Sequence, residues 1–235
     1  MNKGILYLLP SLLAESSMES VLPEGTLSII RSLEYFIAEE IRTARRFLIR
    51  AGIKKHIDEL NFLVFNEHSR DHDIHEYLTA AMQGHDIGLL SEAGVPCVAD
   101  PGSLIVRVAH RQGIRVVPLT GPSSILLALM ASGFNGQNFA FIGYLPADKY
   151  LRVKKIRELE KLILEKDQTQ IFIETPYRNV QVFESLISVC RPETQLCLAT
   201  NISGTDEVIK SLSIAEWSAV KPDIRKKPTI FLLYR

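Results

Sequence analysis

Short apolar runs alternate with longer segments of helical periodicity along most of this chain. The runs of strand length are Ile5–Leu9, Phe62–Phe65, Ile87–Leu90, Ile114–Val117, Phe139–Gly143, Ile171–Ile173, Gln195–Ala199 and Ile230–Tyr234. Between many of them, apolar residues recur every three or four positions, which is the spacing of a helix that packs on one side. This alternation predicts an α/β fold throughout the chain.

Two of the longer segments give the clearest helix predictions. Tyr35–Ala51 is predicted to be one amphipathic helix, because apolar residues that should face the core recur at helical spacing. These residues are Ile37, Ile41, Ala44 and Leu48. Lys149–Lys166 is predicted to be a charged helix, with seven basic and three acidic residues, that packs on one side only. A shorter helix is predicted at Ile74–Met82, and Ser11–Gly25 is predicted to be irregular.

The segment 86–133 organises the chain, because it makes a strand, a small-residue loop and a helix twice. The first strand is followed by Ser91–Gly102, and the second by Leu119–Ser124, which opens an apolar helix through Met130. Ligands of α/β proteins bind at the carboxyl ends of strands, where small side chains let a ligand approach the backbone. Ordinary strand–helix connections are the alternative interpretation. Two such loops within 48 residues favour a ligand site.

Length and composition narrow the class of protein. The 235 residues suit one large or two small domains, and a break near Val117–Gly121 predicts domains 1–117 and 118–235. Basic and acidic residues balance at 27 each, so nucleic-acid binding requires a local patch. No apolar run approaches the roughly 20 residues of a membrane span. The loop after the first strand has no glycine before Gly25, which excludes the usual dinucleotide fingerprint.

The cysteines indicate a reducing compartment. Cys97, Cys190 and Cys197 are an odd count without a CxxC pair, which argues against a disulfide framework and against a zinc site. The apolar run near the N-terminus is interpreted as the first strand rather than as a signal peptide. We therefore expect a cytoplasmic protein with unpaired thiols.

Two polar clusters are candidate sites. The basic cluster predicts a phosphate-binding surface, because six basic residues face no acidic one within their stretch; the alternative is a solvated helix face. It consists of Arg42, Arg45, Arg46, Arg50, Lys54 and Lys55. The second cluster has His68, His72 and His75 at spacings that could share a helical face, but the absence of an HExxH motif disfavours a metal site. Glu67 and His68, at a strand end, are better placed as site residues.

Taken together, the motifs resemble the tetrapyrrole-methylase-like (class III) S-adenosylmethionine methyltransferases. The nearest branch methylates a ribose 2′-oxygen of small-subunit ribosomal RNA. The matching segments are Ser91–Pro96, Asp100–Gly102 and Arg115–Ser124, with further matches at Ala38–Arg45, Glu67-His68, Gly143–Pro146 and Glu174–Arg178. The chain departs from the branch after the first strand, where only Pro10 is kept, and also at Ala199–Asn201 and Lys226–Pro228.

The resemblance implies two α/β domains of the tetrapyrrole methylase type, with S-adenosylmethionine in a cleft between them and usually a homodimer. S-adenosylhomocysteine would be the product. It implies that strand-end loops bind the cofactor through Ala93, Gly94, Val95, Pro96, Val98, Gly121, Ser123, Ser124, Glu174, Thr175, Ala199 and Thr200. A ribose hydroxyl would benefit from a base, for which Glu39, Glu67 and His68 are candidates.

Three functions are consistent with the sequence. The leading one is ribose 2′-O-methylation of small-subunit ribosomal RNA, with Arg42, Arg45, Arg46 and Arg50 binding RNA phosphate. The second is methylation of a small molecule such as a tetrapyrrole, which the departures from the RNA branch keep open. The third is a non-catalytic protein that binds S-adenosylmethionine with the same fold. No metal is expected in any of them.

Overall fold

The computed structural model describes residues 2–66, 68, 69 and 71–235, and within 71–73 it describes the backbone alone. The chain folds as two compact units, Met1–Ser123 and Ser124–Arg235. Each unit is built around its own β-sheet. Within the described residues, no helix combines the length and the apolar character that crossing a membrane requires.

The first unit is a parallel α/β sheet. Its strands are β1 (Ile5–Leu9), β2 (Tyr35–Ala38), β3 (Asn61–Val64), β4 (Ile87–Leu90) and β5 (Arg115–Pro118). They lie in the order β3-β2-β4-β1-β5, and every pair is parallel. In the register, Leu6 lies opposite Ile87, and Ile5 lies opposite Arg115. All five carboxyl ends therefore meet at one edge of this sheet.

Helices cover both faces of this sheet and bury its central strand β4 completely, whereas the edge strands β3 and β5 are partly exposed. The helices are α1 (Met18–Val21), α2 (Glu24–Ser32), α3 (Ile41–Arg50), α4 (Thr79–Met82) and α5 (Ser103–Arg111), with 3₁₀ turns at Ile57–Glu59 and Asp71–Leu78. Leu27 of α2 and Leu48 of α3 belong to one core cluster. Ala81 of α4 and Ile105 of α5 belong to another.

The strand order creates a switch point between β1 and β4. After β1 the chain runs across β4 to β2, whereas after β4 it runs across β1 to β5. The two connections leave neighbouring strands in opposite directions. In open α/β sheets, the crevice outside the carboxyl ends at such a point is where ligands bind. From the topology, a ligand is therefore expected at the loops after Leu9 and Leu90.

The second unit has a mixed sheet. Its strands are β6 (Phe139–Tyr144), β7 (Thr169–Ile173), β8 (Gln195–Thr200), β9 (Val208–Ser213) and β10 (Thr229–Tyr234). The order is β6-β7-β10-β8-β9, with β6 parallel to β7 and the other pairs antiparallel. Its helices are α6 (Ser124–Ser132), α7 (Lys149–Lys166), α8 (Asn179–Val189) and α9 (Ile214–Trp217). The core includes Phe172 and Phe231, which stack at 5.5 Å between ring centroids.

The helix α7 forms as its periodicity predicts. The Asp148 carboxylate accepts a hydrogen bond of 2.9 Å from the Leu151 N–H at its start, and Asp167 adopts a left-handed conformation with φ of 52° at its end. Ile156, Leu159 and Ile163 are buried in the core. The prediction of a helix that packs on one side is confirmed.

Several sequence predictions are wrong in this fold. Tyr35–Ala51 is not one helix: its first part is β2, and the helix begins only at Ile41. Ile37 is buried, but on a central strand rather than on a helix face. Ser11–Gly25 is not irregular throughout, because it contains α1, which the Ser17 hydroxyl caps. The segment predicted as a helix at Ile74–Met82 is a 3₁₀ turn followed by α4.

Candidate functional site

Hydrogen bonds join the loops that follow β1 and β4. The Ser11 N–H donates to the Gly94 carbonyl at 2.8 Å, and the Ser11 hydroxyl donates to the Ser91 carbonyl at 3.3 Å. The Ser91 hydroxyl donates in turn to the Gly94 carbonyl at 3.3 Å. Ser11 itself is buried, so these bonds are shielded from water. The two loops at the switch point are therefore held as one layer.

Two glycines bring the loop after β5 into the same layer. Gly94 has φ of +74°, and a Cβ there would lie 2.9 Å from Leu13 Cδ2 and 3.2 Å from the Pro122 carbonyl oxygen. A Cβ on Gly121 would lie 2.2 Å from Pro10 Cβ. These approaches allow no side chain, so both positions require glycine. The loops after β1, β4 and β5 are packed against each other through their backbones.

Asp100 gives the loop after β4 its shape. Its carboxylate accepts hydrogen bonds of 2.7 Å from the N–H groups of Cys97 and Gly102. Burial raises the pKa of Asp100 above its usual value, and these two N–H groups partly oppose that shift. Cys97 and Ala99 adopt left-handed conformations with φ of 68° and 62°. Such strained backbone persists where the surroundings fix it, often in ligand loops.

A cavity of about 510 Å³ opens at the carboxyl ends of β1, β2 and β4. The loop after β1 contributes one wall, α3 a second, and the loop after β4 a third. Its charged and polar lining residues include Glu15, Thr43, Arg46, Arg50 and Glu92, and Ala93 lies beside them. The cavity thus lies at the topological switch point and adjoins the loop that the sequence assigns to the cofactor.

The start of α3 fixes the charges at this cavity. One oxygen of Glu40 accepts from the Arg42 N–H at 2.7 Å, and the other accepts from the Thr43 N–H at 2.8 Å and the Thr43 hydroxyl at 2.9 Å. The backbone N–H of Arg42, followed by the Thr43 hydroxyl, holds the pKa of Glu40 below its usual value. Glu40 is therefore an ionised helix cap.

The pKa of Glu92 is shifted in the opposite direction to that of Glu40. Glu92 is exposed by its surface area, but partial desolvation at the cavity wall raises its pKa above the usual value, and the negative charge of Glu40 raises it further. The Thr43 hydroxyl and the Arg46 guanidinium partly oppose this shift. Glu92 is not among the residues that the sequence predicts as catalytic. Its position as the acid directly before Ala93 in the family motif was the available signal.

The sequence suggested that the basic cluster has no acidic partners, but in the structure two of its cations form ion pairs. Arg45 forms an ion pair of 3.0 Å with Asp58, and its guanidinium carbon lies 5.6 Å from the Phe62 ring centroid. Lys55 forms an ion pair with Glu34. Arg46 and Arg50 line the cavity, and Arg50 also donates to the Ser16 carbonyl at 2.7 Å. Arg42 is exposed.

The three bases predicted from the sequence are Glu39, Glu67 and His68, and the structure describes two of them. Glu67 lies outside the described residues. Glu39 is half-buried directly after β2, and His68 is exposed. Neither Glu39 nor His68 is among the residues that line the cavity. Within the described part of the chain, no three His, Cys, Asp or Glu side chains come together as metal ligands.

The remaining predicted cofactor residues in the first unit occupy the packed loops. Pro96 is buried, Val95 and Ser123 are half-buried, and Ala93 and Val98 are exposed. Exposed small residues in a fixed loop leave the backbone open to a ligand. Ser124 is the first residue of α6 in the second unit.

The predicted cofactor residues of the second unit lie at one edge of its sheet. β7 and β8 both run antiparallel to β10, so Glu174 and Thr200 share this edge. Glu174 forms an ion pair of 2.9 Å with Arg178, and its other oxygen accepts from the Thr175 N–H at 2.7 Å. The hydroxyls of Thr200 and Thr229 are 3.2 Å apart. Ala199 is buried and Thr175 is exposed.

Comparisons with known proteins agree with this architecture. The sequence model of the Tetrapyrrole (Corrin/Porphyrin) Methylases matches residues 20–217. A Haemophilus influenzae protein named Ribosomal RNA small subunit methyltransferase I is 30% identical over 233 residues, which cover 98% of this chain and 78% of that protein. A Vibrio cholerae protein of the same name is 29% identical over 232 residues, which cover 97% of this chain and 76% of that protein.

A solved structure extends the agreement to the fold. The crystal structure of the methyltransferase CobJ superposes with a TM-score of 0.66 at 16% identity, and the match covers 99% of this chain and 94% of that one. Both the sequence match and the fold therefore extend over most of the chain. The chain belongs to the tetrapyrrole (corrin/porphyrin) methylase family and is a methyltransferase of the branch formed by its ribosomal RNA small subunit methyltransferase I relatives.

Proposed function

We propose that this protein transfers a methyl group from S-adenosylmethionine to a ribose 2′-oxygen of small-subunit ribosomal RNA. The observation that carries the proposal is the match, over nearly the whole chain, to relatives named for methylation of this RNA. The cavity supports it, because Arg46 and Arg50 supply cations where an RNA phosphate would enter. The cytoplasm is the compartment in which this substrate would be met.

The loops of the first unit fit S-adenosylmethionine chemically. Its adenosine is uncharged, and its methionine part carries a carboxylate, an ammonium and the sulfonium, so backbone donors and acceptors suit it better than a pocket of one charge. The loop Ala93–Val98 has such a backbone, held in a fixed shape by Asp100. Gly121 and Ser123 lie in the loop packed against it. In the second unit, Glu174, Thr175, Ala199 and Thr200 stay predictions from the family resemblance.

In the proposed reaction the cofactor would supply the reactive methyl group, and the protein would position the substrate. When bound, S-adenosylmethionine supplies an electrophilic methyl group on a sulfonium sulfur. The protein positions the ribose for in-line attack, and correct orientation can supply much of the rate acceleration of such a transfer. Arg46 and Arg50 would hold the phosphates beside the target ribose. The carboxylates of the cavity are the groups available to take up the hydroxyl proton.

A homodimer is part of the proposal. The resemblance to the family implies one, and an exposed apolar side chain such as that of Met130 of α6, at 78%, would be covered in it. Light scattering on the purified protein should give twice the mass of the 26.4 kDa chain. A monomer at micromolar concentration would refute this part alone.

A small molecule such as a tetrapyrrole is the second candidate substrate. The ion pairs of Arg45 and Lys55 favour it, because they neutralise part of the basic cluster that would bind RNA. The methylase family and the apolar share of the cavity, with Leu12, Leu13 and Phe47, also suit such a ligand.

One experiment separates the two candidates. Purified protein is incubated with isotopically labelled S-adenosylmethionine and small ribosomal subunits from a deletion strain. Mass spectrometry of the RNA nucleosides should show one labelled 2′-O-methylated nucleoside that the deletion strain lacks. The same incubation with a tetrapyrrole precursor in place of the subunits should show no labelled product. Label in the tetrapyrrole and none in the RNA would overturn the proposal.

A further inference from the structure

We propose that Glu92 is the catalytic base that removes the proton from the ribose 2′-hydroxyl. This inference rests on the proposed function and names a residue that neither the sequence motifs nor the family match had assigned a role. It follows from where Glu92 lies, from which other carboxylates the cavity offers, and from the charges around it.

The position of Glu92 joins the cavity to the cofactor loop. It is the second residue after β4, it lines the cavity, and it directly precedes Ala93. The hydrogen bonds of Ser91 and Ser11 to the Gly94 carbonyl fix the backbone on either side of it. A ribose held in the cavity and a methyl donor held by the loop would therefore meet beside this carboxylate.

The other carboxylates near the cavity are less suited to the role. Among the described residues, Glu15 and Glu92 are the acids that line it. Glu15 belongs to the loop after β1, whereas Glu92 is directly followed by the predicted cofactor loop. Glu40 already accepts three hydrogen bonds as the cap of α3, and its lowered pKa makes it a weak proton acceptor.

The surroundings of Glu92 strengthen it as a base. Glu92 is exposed by its surface area, so desolvation of its carboxylate is partial; this partial desolvation and the ionised Glu40 favour the protonated form, whereas the Thr43 hydroxyl and the Arg46 guanidinium act against it. A base is most effective when its pKa approaches the working pH, so a raised carboxylate pKa is the favourable direction. Glu40 therefore has a second effect besides capping α3, since its negative charge raises the pKa of Glu92.

The step balances without another reactant. The ribose oxygen forms a bond to the methyl carbon while its O–H bond breaks, and the proton passes to a carboxylate oxygen of Glu92. The bond between the methyl carbon and sulfur breaks, and its electron pair stays on sulfur, so the leaving group is neutral S-adenosylhomocysteine. Glu92 then releases the proton to water, which restores the carboxylate for the next turnover.

The test compares Glu92→Gln with Glu34→Gln, a matched change of a carboxylate that pairs with Lys55 and does not line the cavity. Single-turnover methylation of small ribosomal subunits is measured over a range of pH, and calorimetry gives the affinity for S-adenosylmethionine. We expect Glu92→Gln to slow methyl transfer by about 10²-fold or more, as loss of a general base does, with cofactor affinity nearly unchanged. Glu34→Gln should keep the rate within a few-fold of wild type.

The pH profile distinguishes a base from a structural residue. The wild-type rate should fall as the pH drops through the pKa of Glu92, and Glu92→Gln should lack this acidic limb. If the glutamine variant does not fold, Glu92→Asp decides instead: it should keep the acidic limb at a lower rate. An unchanged rate in Glu92→Gln, or an acidic limb that persists in it, would overturn the inference.

The result is separable from the proposed function. If the wild-type protein methylates no ribose of the small subunit, the proposed function fails. If it methylates the ribose and Glu92→Gln does so equally fast, the assignment of the base alone fails. If Glu92→Gln loses cofactor affinity together with activity, Glu92 is a binding residue and the assignment is again wrong.

Discussion

Arg45 forms an ion pair of 3.0 Å with Asp58, while the next residue, Arg46, lines the cavity at the strand ends. The two arginines therefore have different surroundings although they are neighbours in sequence. Arg45 is held against β3 by Asp58 and by the ring of Phe62. This difference separates the basic cluster into cations that stabilise the fold and cations that remain available to an anionic ligand.

We predict that Arg46 and Arg50 bind RNA phosphate and that Arg45 does not. Each phosphate contact releases counterions, so log affinity should fall linearly with log salt, with a slope of roughly 0.9 or less per contact. Changing both Arg46 and Arg50 to Ala should flatten this slope by about one to two units. RNA binding measured at several salt concentrations gives the slopes.

Arg45→Ala is the matched control for this double variant. It removes a cation from the same helix, but one whose charge Asp58 already neutralises. Its salt slope should equal that of wild type. Equal slopes in all three proteins would show that α3 does not contact RNA, and would favour the small-molecule substrate.

The sequence predicted the elements whose signals are local. The spacing of its apolar residues predicts α7 with its observed bounds, and in the structure the Asp148 cap and the left-handed Asp167 close its two ends. β4 was likewise predicted with its bounds, since Ile87–Leu90 is a purely apolar run. For both α7 and β4, the residues whose pattern predicts the element lie within it or directly beside it.

The wrong or missing predictions concern features that depend on contacts between residues far apart in the sequence. β2 reads as the first turn of a helix, because Ile37 happens to precede Ile41 by four residues, and only its burial between β3 and β4 makes it a strand. β9 has alternating polar residues and lies at a sheet edge, so no apolar run revealed it. The pairing of Arg45 with Asp58 and the effect of Glu40 on Glu92 depend on the folded arrangement.

We predict that Gly94→Ala destabilises the protein and weakens cofactor binding. The new Cβ would meet Leu13 at 2.9 Å and the Pro122 carbonyl at 3.2 Å, and φ of +74° adds strain for any other residue. A non-glycine residue in this conformation costs about 1–3 kcal/mol. Chemical denaturation measures the loss, and calorimetry with S-adenosylmethionine measures the affinity. Gly94→Trp should abolish binding.

Gly25→Ala is the control for the glycine change. Gly25 lies in α2, and a Cβ there meets no atom within 4 Å. Alanine is favoured over glycine in a helix by roughly 0.5–1 kcal/mol, so this variant should be slightly more stable than wild type. Undiminished cofactor affinity in a folded Gly94→Trp protein would contradict the assignment of this loop.

We predict that the thiols are unpaired and unreactive in the native protein. Cys97, Cys190 and Cys197 are free, and burial raises the pKa of Cys97 and of Cys190 to about 12, with the charges of Asp100 and Glu160 adding to the shift. At pH 8 a pKa of about 12 leaves roughly one thiol in 10,000 as the reactive thiolate. Native alkylation should therefore be slow.

Alkylation of the unfolded protein is the comparison for alkylation of the native protein. After unfolding without reductant, mass measurement should show three alkylated cysteines, because burial no longer suppresses ionisation. Fewer than three adducts would indicate a disulfide and would contradict the expectation of a reducing compartment. Rapid native modification of Cys97 would instead show that its loop opens in solution.

The last prediction concerns Glu40, which acts both on stability and on Glu92. The hydrogen bonds from Arg42 and Thr43 lower the pKa of Glu40, so its ionised form stabilises the folded state above the unfolded pKa. That contribution is lost as the pH falls through the folded pKa. Glu40→Ala should therefore lower the melting temperature at pH 7 and have little effect on it at strongly acidic pH.

The same variant tests the electrostatic link between the two glutamates. Removing the charge of Glu40 removes one cause of the raised pKa of Glu92, so the acidic limb of the pH–rate profile should move to lower pH. Glu34→Ala is a suitable control, because it breaks the ion pair with Lys55 outside the cavity and should leave the limb in place. An acidic limb that does not move in Glu40→Ala would mean that another group sets the pH dependence, since the charge that raises the pKa of Glu92 would then have no effect on the rate.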